Sequence, residues 1–373
     1  MEPETQPTLQ EELPTTDTEA QKASRLRRIF FDKQGLRTVW SLLSFLTLYI
    51  AFCFLVGFSF MRLHLISKNW MTDFTPYAAF FAELIPFVAM VGAASLVALF
   101  ERRRSILDYN LTGPRRIPHF FGGLAAGFVA LSALIGALAW GGWLQLGPVA
   151  LTPAAIFKYG ALWAATFLLV GCVEEGIFRC FLLSTLTRGM TFRKAVVIVA
   201  ALCLDLLLTG KGNGVSGIYV LALLGLIPCL LLHLRKSESV GFWHATWVTS
   251  TLFGFVHTFN PGETWVGIAQ VEFIGFVFCV SVWLTGSAWW AIGCHAAWDW
   301  AETFFYGTAD SGRVGADHFL TTSPAGNVLL SGGADGPEGS LLVLGVLALL
   351  LAALIVIYGR KGKSTVRSAQ TAL

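Results

Sequence analysis

The sequence predicts an all-α, polytopic membrane protein: a bundle of about ten transmembrane helices (eight to ten), with both termini in the cytoplasm. Of its 373 residues, 55% are hydrophobic and only 13% are charged, about half the charged fraction of an average soluble domain. The mean hydropathy is +0.65. Such a chain is neither an ordinary soluble globule nor a disordered, collagenous or disulfide-stapled protein.

The apolar residues are grouped in stretches of the length that crosses a bilayer, roughly 20 residues. Counting these stretches gives ten candidate spans, of which the fifth and the seventh are short. The spans are Thr38–Met61, Tyr77–Phe100, Phe120–Trp143, Phe157–Leu186, Ala195–Gly210, Ile218–Leu234, Phe242–His257, Trp265–Leu284, Ala288–Tyr306 and Ser340–Tyr358.

The basic residues in the loops predict how these spans are oriented. If the amino terminus is cytoplasmic, 20 of the 26 Lys and Arg residues fall in cytoplasmic segments and five fall outside. This excess follows the positive-inside rule. The net charge of +3 is too small for a nucleic-acid partner, so membrane lipid is the large partner that the composition implies.

The chain divides into five regions along this topology. Residues 1–28 are predicted to be a disordered cytoplasmic tail, and residues 29–156 hold the first transmembrane helices. Residues 157–306 form a core that contains the polar motifs described below. Residues 307–339, rich in Gly, Ser and Asp, are predicted to be an irregular extracytoplasmic loop. Residues 340–373 form the last transmembrane helix and a basic cytoplasmic tail.

Among the ionisable residues within the predicted spans, ten are candidates for a functional role, because a charged group there costs a few kcal/mol on insertion scales. Residues of this kind usually mark a functional site, so each requires a chemical explanation. They are Glu83, Glu174, Glu175, Arg179, Asp205, His257, Glu272, His295, Asp299 and Glu302.

The fourth span contains two adjacent glutamates. Glu175 and Arg179 are four residues apart, share one face of a helix and can form an ion pair. Glu174 points away from that pair, and a carboxylate in apolar surroundings suits a general acid or base. Alternatively, both glutamates line a water-filled groove and only balance the charge of Arg179.

Two further spans carry histidines. His257 ends the seventh span, where a lone histidine can also be purely structural. His295 and Asp299 share one face of the ninth span, so the carboxylate can fix the imidazole tautomer or support a metal, or the two can form a local polar pair. Combined with Glu174, the histidines supply a base, a polarising donor and an orienting carboxylate, which predicts hydrolysis by activated water.

These motifs resemble those of the CAAX-processing and bacteriocin-processing (CPBP) family of intramembrane proteases, also called the Abi or type II CAAX prenyl endopeptidase family. That family carries E-E-x-x-x-R, F-x-x-x-H and H-x-x-x-N on three transmembrane helices. The chain has, in the same order, Glu174-Glu175-x-x-x-Arg179, Phe253-x-x-x-His257 and His295-x-x-x-Asp299. The resemblance covers roughly residues 157–306, with a helical hairpin inserted near residues 191–239.

The resemblance also implies a role for each motif residue. Glu174 would activate water, and His257 would help to hold or deprotonate it. His295 and the residue at position 299 would form the oxyanion site. Supporting residues are Glu175 and Arg179, which would brace the groove, and Phe253. Asp299 replaces the usual asparagine of the family, and an ionised aspartate cannot donate a hydrogen bond to an oxyanion.

The implied activity is that of an intramembrane endopeptidase whose site opens toward the cytoplasm. Its substrate would be a membrane-associated protein or peptide, and prenylated CaaX-type proteins, leader peptides and membrane-anchored proteins are all compatible. The preferred mechanism requires no cofactor, whereas a zinc-dependent version would use Glu174, His257 and His295 as ligands.

Two alternatives from other functional classes stay open. One is a membrane carrier in which Glu83, Asp205, Glu272 and Glu302 form a proton relay. The other is a catalytically inactive scaffold or immunity protein. For every alternative, the predicted location is a multi-pass position in the plasma membrane of a prokaryote.

Overall fold

The fold is a helical bundle, seen here in a computed structural model that describes residues 27–33, 35–67, 74–101, 103, 105–210, 215–235 and 240–370. Ten long helices lie within these ranges. They are α1 (Thr38–Arg62), α2 (Pro76–Phe100), α3 (Arg116–Trp140), α4 (Pro153–Glu175), α5 (Phe192–Thr209), α6 (Val215–Arg235), α7 (Val240–His257), α8 (Trp265–Thr285), α9 (Trp289–Asp299) and α10 (Leu341–Gln370).

Two of these helices continue into wider π-helical turns. After α4 come the π-helical segment Gly176–Leu182 and a last α-helical turn, Leu183–Thr187. After α9 comes the π-helical segment Trp300–Tyr306. Both turns follow directly on a motif carboxylate, at a position typical of π-helical turns near functional sites.

Each of the ten predicted spans coincides with one of the long helices. Within the described residues, α1, α2, α3, α4, α6, α8 and α10 are long and apolar enough to cross a membrane. Helices α5, α7 and α9 form as predicted but do not meet the same criterion. The protein is therefore an integral membrane helical bundle, whereas ten crossings and cytoplasmic termini stay predictions. Of the predicted tail, residues 1–26 lie outside the described residues.

The bundle has a clear centre and a clear edge. In the most apolar 18-residue window of α8, 83% of the residues are buried inside the protein, against 11% in the corresponding window of α1. Helix α8 is therefore surrounded by other helices, while α1 presents most of its side chains outward, as a lipid-facing helix does.

Glycines bring α3 and α9 into backbone contact. A Cβ at Gly123 would lie 2.1 Å from the carbonyl oxygen of Trp290, and a Cβ at Gly293 would lie 2.2 Å from that of Phe120. Only a hydrogen atom fits at such distances, which is how small residues pack transmembrane helices closely. This contact fixes the position of α9, the helix that carries His295.

Short strands connect the ends of the helices. They are β1 (Phe31–Asp32), β2 (Gly35–Leu36), β3 (Leu144–Val149), β4 (Ala309–Asp310), β5 (Arg313–Val314) and β6 (Leu320–Pro324). They pair antiparallel as β1–β2, β3–β6 and β4–β5, with Leu144 opposite Pro324 in the β3–β6 pair.

The segment of residues 307–339 is more ordered than the sequence predicts. It contains β4, β5, β6, a helical turn at Val328–Ser331 and a 3₁₀ turn at Pro337–Gly339. The prediction of an irregular loop missed β6 because the partner of this strand is β3, far away in the chain. Local composition carries no sign of that pairing.

The predicted hairpin of residues 191–239 contains α5 and α6, which pack against each other and against α7. Residues 211–214 between the two helices and residues 236–239 after them lie outside the described residues. That this pair of helices is an insertion in a smaller core stays a prediction.

Candidate active site

A cavity of about 300 Å³ lies among α2, α4, α7, α8 and α9. It brings together Glu174 from α4, Phe253 and His257 from α7, and His295 and Asp299 from α9. The three motifs, which are far apart in the chain, therefore meet on one wall. Glu175 and Arg179 lie directly behind this wall.

Glu175 links two of the motifs through its two oxygens. Its Oε2 lies 3.1 Å from Arg179 Nε, and its Oε1 lies 2.9 Å from Nδ1 of His295, which is 120 residues further along the chain. Both Glu175 and Arg179 are almost fully buried. Arg179 gives this buried carboxylate a counter-charge, and the contact with Nδ1 lets Glu175 hold the His295 ring in a fixed orientation.

The other nitrogen of His295 faces two carboxylates. His295 Nε2 lies 3.4 Å from Asp299 Oδ2 and 3.7 Å from Glu174 Oε2. The side chain of Glu174 is 31% exposed, whereas that of Asp299 is 9% exposed. Glu174 is therefore the carboxylate of this group that a substrate or a water molecule reaches most easily.

His257 is held in one tautomer by its own helix. Its Nδ1 lies 2.8 Å from the carbonyl oxygen of Phe253. A carbonyl oxygen only accepts hydrogen bonds, so Nδ1 carries the proton and donates it. In the neutral ring Nε2 is then unprotonated and free to accept a proton.

Aromatic rings fix the motif side chains in place. The guanidinium carbon of Arg179 lies 4.1 Å from the ring centre of Phe253, within the range of a cation–π contact. Phe253 also packs edge-on against His257, with ring centres 4.6 Å apart. Phe278 of α8 stacks on His295, with ring centres 5.7 Å apart. Phe253 thus contacts residues of two motifs, while Phe278 was not identified from the sequence.

The cavity extends toward the end of the bundle that carries residues 307–339. Asp310, Ser311, Arg313 and Glu338 from that segment form part of its lining. On the predicted topology that end is extracytoplasmic. Residues of the predicted extracytoplasmic loop therefore line the cavity, and the side of the membrane to which the cavity opens stays a prediction.

Some of the lining was not identified as part of the site from the sequence. Glu83, Arg313 and Glu338 face the cavity, although Glu83 was recognised as an unexplained charge. Polarity within a span was the signal for Glu83. Arg313 and Glu338 lie in a predicted loop and not in a span, so they carry no such signal.

The four acids of the suggested carrier relay are not gathered in one place. Of these four, only Glu83 lines the cavity. Glu272 accepts a short hydrogen bond from Thr251 between α8 and α7, and Asp205 lies on α5. A chain of proton transfers through all four has no support in this arrangement.

The suggested zinc ligands do not form a preformed metal site. Within the described residues, three ligand atoms lie within 4.8 Å of one another in a different group, Glu302, Asp310 and Glu338. Structural and catalytic zinc sites bring their ligand atoms close around one point. The side chains of Glu174, His257 and His295 would have to move to do so.

Comparison with known proteins identifies the region that carries this site. The family model described as Type II CAAX prenyl endopeptidase Rce1-like matches residues 156–240 and 229–301. This region belongs to the type II CAAX prenyl endopeptidase family. The first matched segment contains Glu174, Glu175 and Arg179, and the second contains the two histidines. Searches among the curated proteins and the solved structures gave no significant match.

The match over residues 156–301 supports a protease of the same general class, and the long apolar helices make the protein membrane-embedded. The matched region begins in α4 and ends in the π-helical turn after α9, so it contains every motif residue. Helices α1 to α3 and α10 lie outside the matched region. Of these, α2, α3 and α10 pack against its helices.

Proposed function

We propose that this protein is an endopeptidase that cleaves membrane-associated proteins or peptides with a water molecule activated by Glu174. The observation that carries the proposal is the convergence of Glu174, His257 and His295 on one partly polar cavity. Each comes from a different helix of the CAAX endopeptidase region.

The first step is the attack of water on the scissile carbonyl carbon. Glu174 accepts a proton from the water, and Nε2 of His257 accepts a hydrogen bond from it and orients it. The hydroxide oxygen forms the new bond to carbon. The carbonyl π electrons move to the oxygen, which becomes an oxyanion.

His295 is suited to stabilise that oxyanion. In the doubly protonated ring, Nδ1–H donates to Glu175, and Nε2–H, which faces the carboxylates of Glu174 and Asp299, can donate to the developing charge. In the second step Glu174 returns its proton to the amide nitrogen as the peptide bond breaks, which leaves a carboxylic acid and an amine.

Asp299 is better suited to orienting His295 than to binding the oxyanion. It lies 3.4 Å from His295 Nε2, and an ionised carboxylate accepts but does not donate. We expect Asp299→Asn to keep activity, because an amide donor matches the family motif. If Asp299→Asn loses more than about tenfold in activity, the negative charge of Asp299 is essential for cleavage.

An apolar groove supports a lipid-modified substrate. A pocket of about 710 Å³ between α1 and α2 shares Phe74, Glu83 and Arg313 with the catalytic cavity. Its remaining lining is mostly apolar, so it suits a hydrocarbon chain. The Arg313 guanidinium at the junction suits a carboxylate. A prenylated cysteine followed by a short carboxyl-terminal peptide has both features, whereas a leader peptide or a membrane-anchored protein lacks the prenyl group.

The proposal is tested with purified protein in liposomes and two peptides, a farnesylated CaaX peptide and its unprenylated counterpart. Glu174→Gln should reduce cleavage by about 10²-fold to 10⁴-fold, as expected for the loss of a general base. The matched control is Glu272→Gln, a buried glutamate outside the cavity, which should cleave as the wild type does.

Two outcomes would contradict this mechanism. Undiminished cleavage by Glu174→Gln would exclude Glu174 as the base. Equal cleavage of both peptides would contradict the proposed recognition of the prenyl group, but it would still support protease activity. Zinc dependence is a separate question: we expect wild-type activity after chelator treatment, and a loss that zinc restores would favour the metal-dependent alternative.

We also propose that both termini lie in the cytoplasm and that ten helices cross the membrane. The exposed side chain of Val328 gives a test, since the native cysteines lie within helices. A cysteine substituted for Val328 should react with a membrane-impermeant maleimide on intact cells. Labelling only after lysis would reverse the orientation.

A further inference from the structure

A second cluster of carboxylates lies at the outer end of the cavity wall. Glu302 is in the π-helical turn after α9, Asp310 is in β4, and Glu338 is in the 3₁₀ turn before α10. One carboxylate oxygen of each residue lies within 4.8 Å of those of the other two. Glu302 is fully buried and Glu338 is nearly so.

The hydrogen bonds within this cluster come from neutral donors. Trp298 Nε1 donates to Glu302 Oε2 at 3.1 Å and to Glu338 Oε1 at 2.9 Å. Thr303 Oγ1 donates to Asp310 Oδ2 at 2.9 Å. Neutral donors orient carboxylates but do not cancel their charge.

The cationic side chains near the cluster do not balance it. Arg313 acts electrostatically on Asp310, and one guanidinium balances at most one of three carboxylates. His295 also acts electrostatically on Asp310 and Glu338, but its ring nitrogens face the carboxylates of Glu175, Asp299 and Glu174. Negative charge therefore remains in excess.

Two buried oxygen atoms independently point to a ligand at this place. Glu302 Oε1 and Gln270 Oε1 find no hydrogen-bond partner among the described residues. Gln270 is only 2% exposed, and its Nε2 lies 3.5 Å from Glu338 Oε1. Rotation of the amide about its last bond turns the oxygen toward the cluster. A buried polar atom without a partner destabilises the folded state, and a bound cation would remove that cost.

We propose that Glu302, Asp310 and Glu338, with the amide oxygen of Gln270, bind a hard divalent cation of the calcium or magnesium class. Carboxylate and amide oxygens are the ligands these ions prefer, whereas zinc prefers nitrogen and sulfur. The three carboxylates belong to three segments of the chain. The cation therefore fastens the segment of residues 307–339 to the end of α9.

The test uses the full-length protein purified in detergent and stripped with EDTA. Ca²⁺ or Mg²⁺ should raise the melting temperature by several degrees, because a ligand that binds only the folded state stabilises it. Tb³⁺ should bind in place of Ca²⁺ and luminesce on tryptophan excitation, since Trp298 touches two of the ligands. Added Ca²⁺ should displace it.

The variants Glu302→Gln and Asp310→Asn should lose at least tenfold in Tb³⁺ affinity and most of the thermal shift. Asp310 is only partly buried, so its variant keeps the test valid if Glu302→Gln does not fold. Glu272→Gln, which replaces a buried carboxylate elsewhere, should respond to cations as the wild type does.

Limited proteolysis gives an independent readout of the fastening. In EDTA, cleavage within residues 307–339 should be faster than in Ca²⁺ by at least tenfold, and Glu302→Gln should be cleaved at the fast rate in both buffers. Equal cation responses of wild type and Glu302→Gln would overturn the proposal, as would no Tb³⁺ binding by the wild type. Neither readout uses peptide-bond cleavage by this protein, so the test is independent of the proposed protease activity.

Discussion

Buried carboxylates at opposite ends of α9 have contrasting surroundings. Near the start of α9 lies a single carboxylate, Glu101, which directly follows α2. Its carboxylate is paired with Arg103 at 3.0 Å, forms a short ion pair with Arg188, and accepts a hydrogen bond from Tyr109 at 2.9 Å. At the other end lies the cluster of Glu302, Asp310 and Glu338, which has three carboxylates and neutral donors.

The difference separates structural charge from charge that calls for a ligand. Burial opposes the ionised form of Glu101, but the hydrogen bond from Ser41 and the charge of Arg188 outweigh it and lower the pKa of this carboxyl below 4.5. At the other end, burial and neighbouring carboxylates raise the pKa of Glu338 to about 8. The charge of the Glu101 carboxylate is balanced by arginines of the protein itself. The charge of the other cluster is balanced only when a proton or a cation binds.

The largest expected effect is from Glu101→Gln. This change leaves Arg103 and Arg188 without their buried partner, so it should reduce the free energy of unfolding by about 3–5 kcal/mol. Unfolding in mixed micelles of increasing SDS fraction, followed by tryptophan fluorescence, measures the change. A loss below about 0.5 kcal/mol would show that the two arginines are solvated. Glu101 would then not differ from the Glu302, Asp310 and Glu338 cluster in the way described.

Lowering the pH should also remove the contribution of Glu101 to the free energy of unfolding, without a mutation. Because the folded-state pKa of Glu101 is below its unfolded value, its contribution is present above about pH 4.5 and is lost as the pH falls through the folded pKa. The difference in stability between wild type and Glu101→Gln should therefore shrink as the pH is lowered from 7 to about 3. A difference that is constant over this range would contradict the assignment.

Tyr109→Phe should have a smaller effect. It removes one hydrogen bond to Glu101 but keeps both ion pairs, so we expect a loss of about 1.5–3 kcal/mol, the range for a hydrogen bond to a charged group. The same unfolding assay measures it. The double variant with Glu101→Gln should lose less than the sum of the two single losses, since the residues interact directly.

The smallest effect is expected from Glu338→Gln without a divalent cation. A pKa of about 8 leaves Glu338 mostly protonated at pH 7, so the change replaces one neutral group with another, and the amide oxygen can still accept from Trp298. We expect stability equal to that of the wild type within about 1 kcal/mol by the unfolding assay in EDTA. A loss as large as that of Glu101→Gln would mean that Glu338 has a cationic partner after all.

The sequence predicted the helices and the motif residues well because both signals are local. Apolar stretches fix where each long helix lies, and an ionisable residue inside such a stretch is visible without any knowledge of its neighbours. Glu174, His257 and His295 were found this way. The pairing of Glu175 with Arg179 was also predictable, because both are on one helix and four residues apart.

The same reasoning could not find contacts between distant segments. The bond from Glu175 to His295, the stacking of Phe278 on His295, and the β3–β6 pair each join residues that are far apart in the chain. The prediction of an irregular loop at residues 307–339 missed β6 for this reason. The π-helical turns after Glu175 and Asp299 had no recognised sequence signal.

By itself, the sequence determined that this chain is a helical membrane protein with the motifs of a protease family, because hydropathy and spacing along one helix are properties of short segments. Only the tertiary structure decided that the motifs meet in one cavity and that three carboxylates from separate segments lie together. The physical reason is that the close packing of α3 and α9 and the folding of residues 307–339 over the bundle set distances between segments, and such distances are not encoded in any one segment.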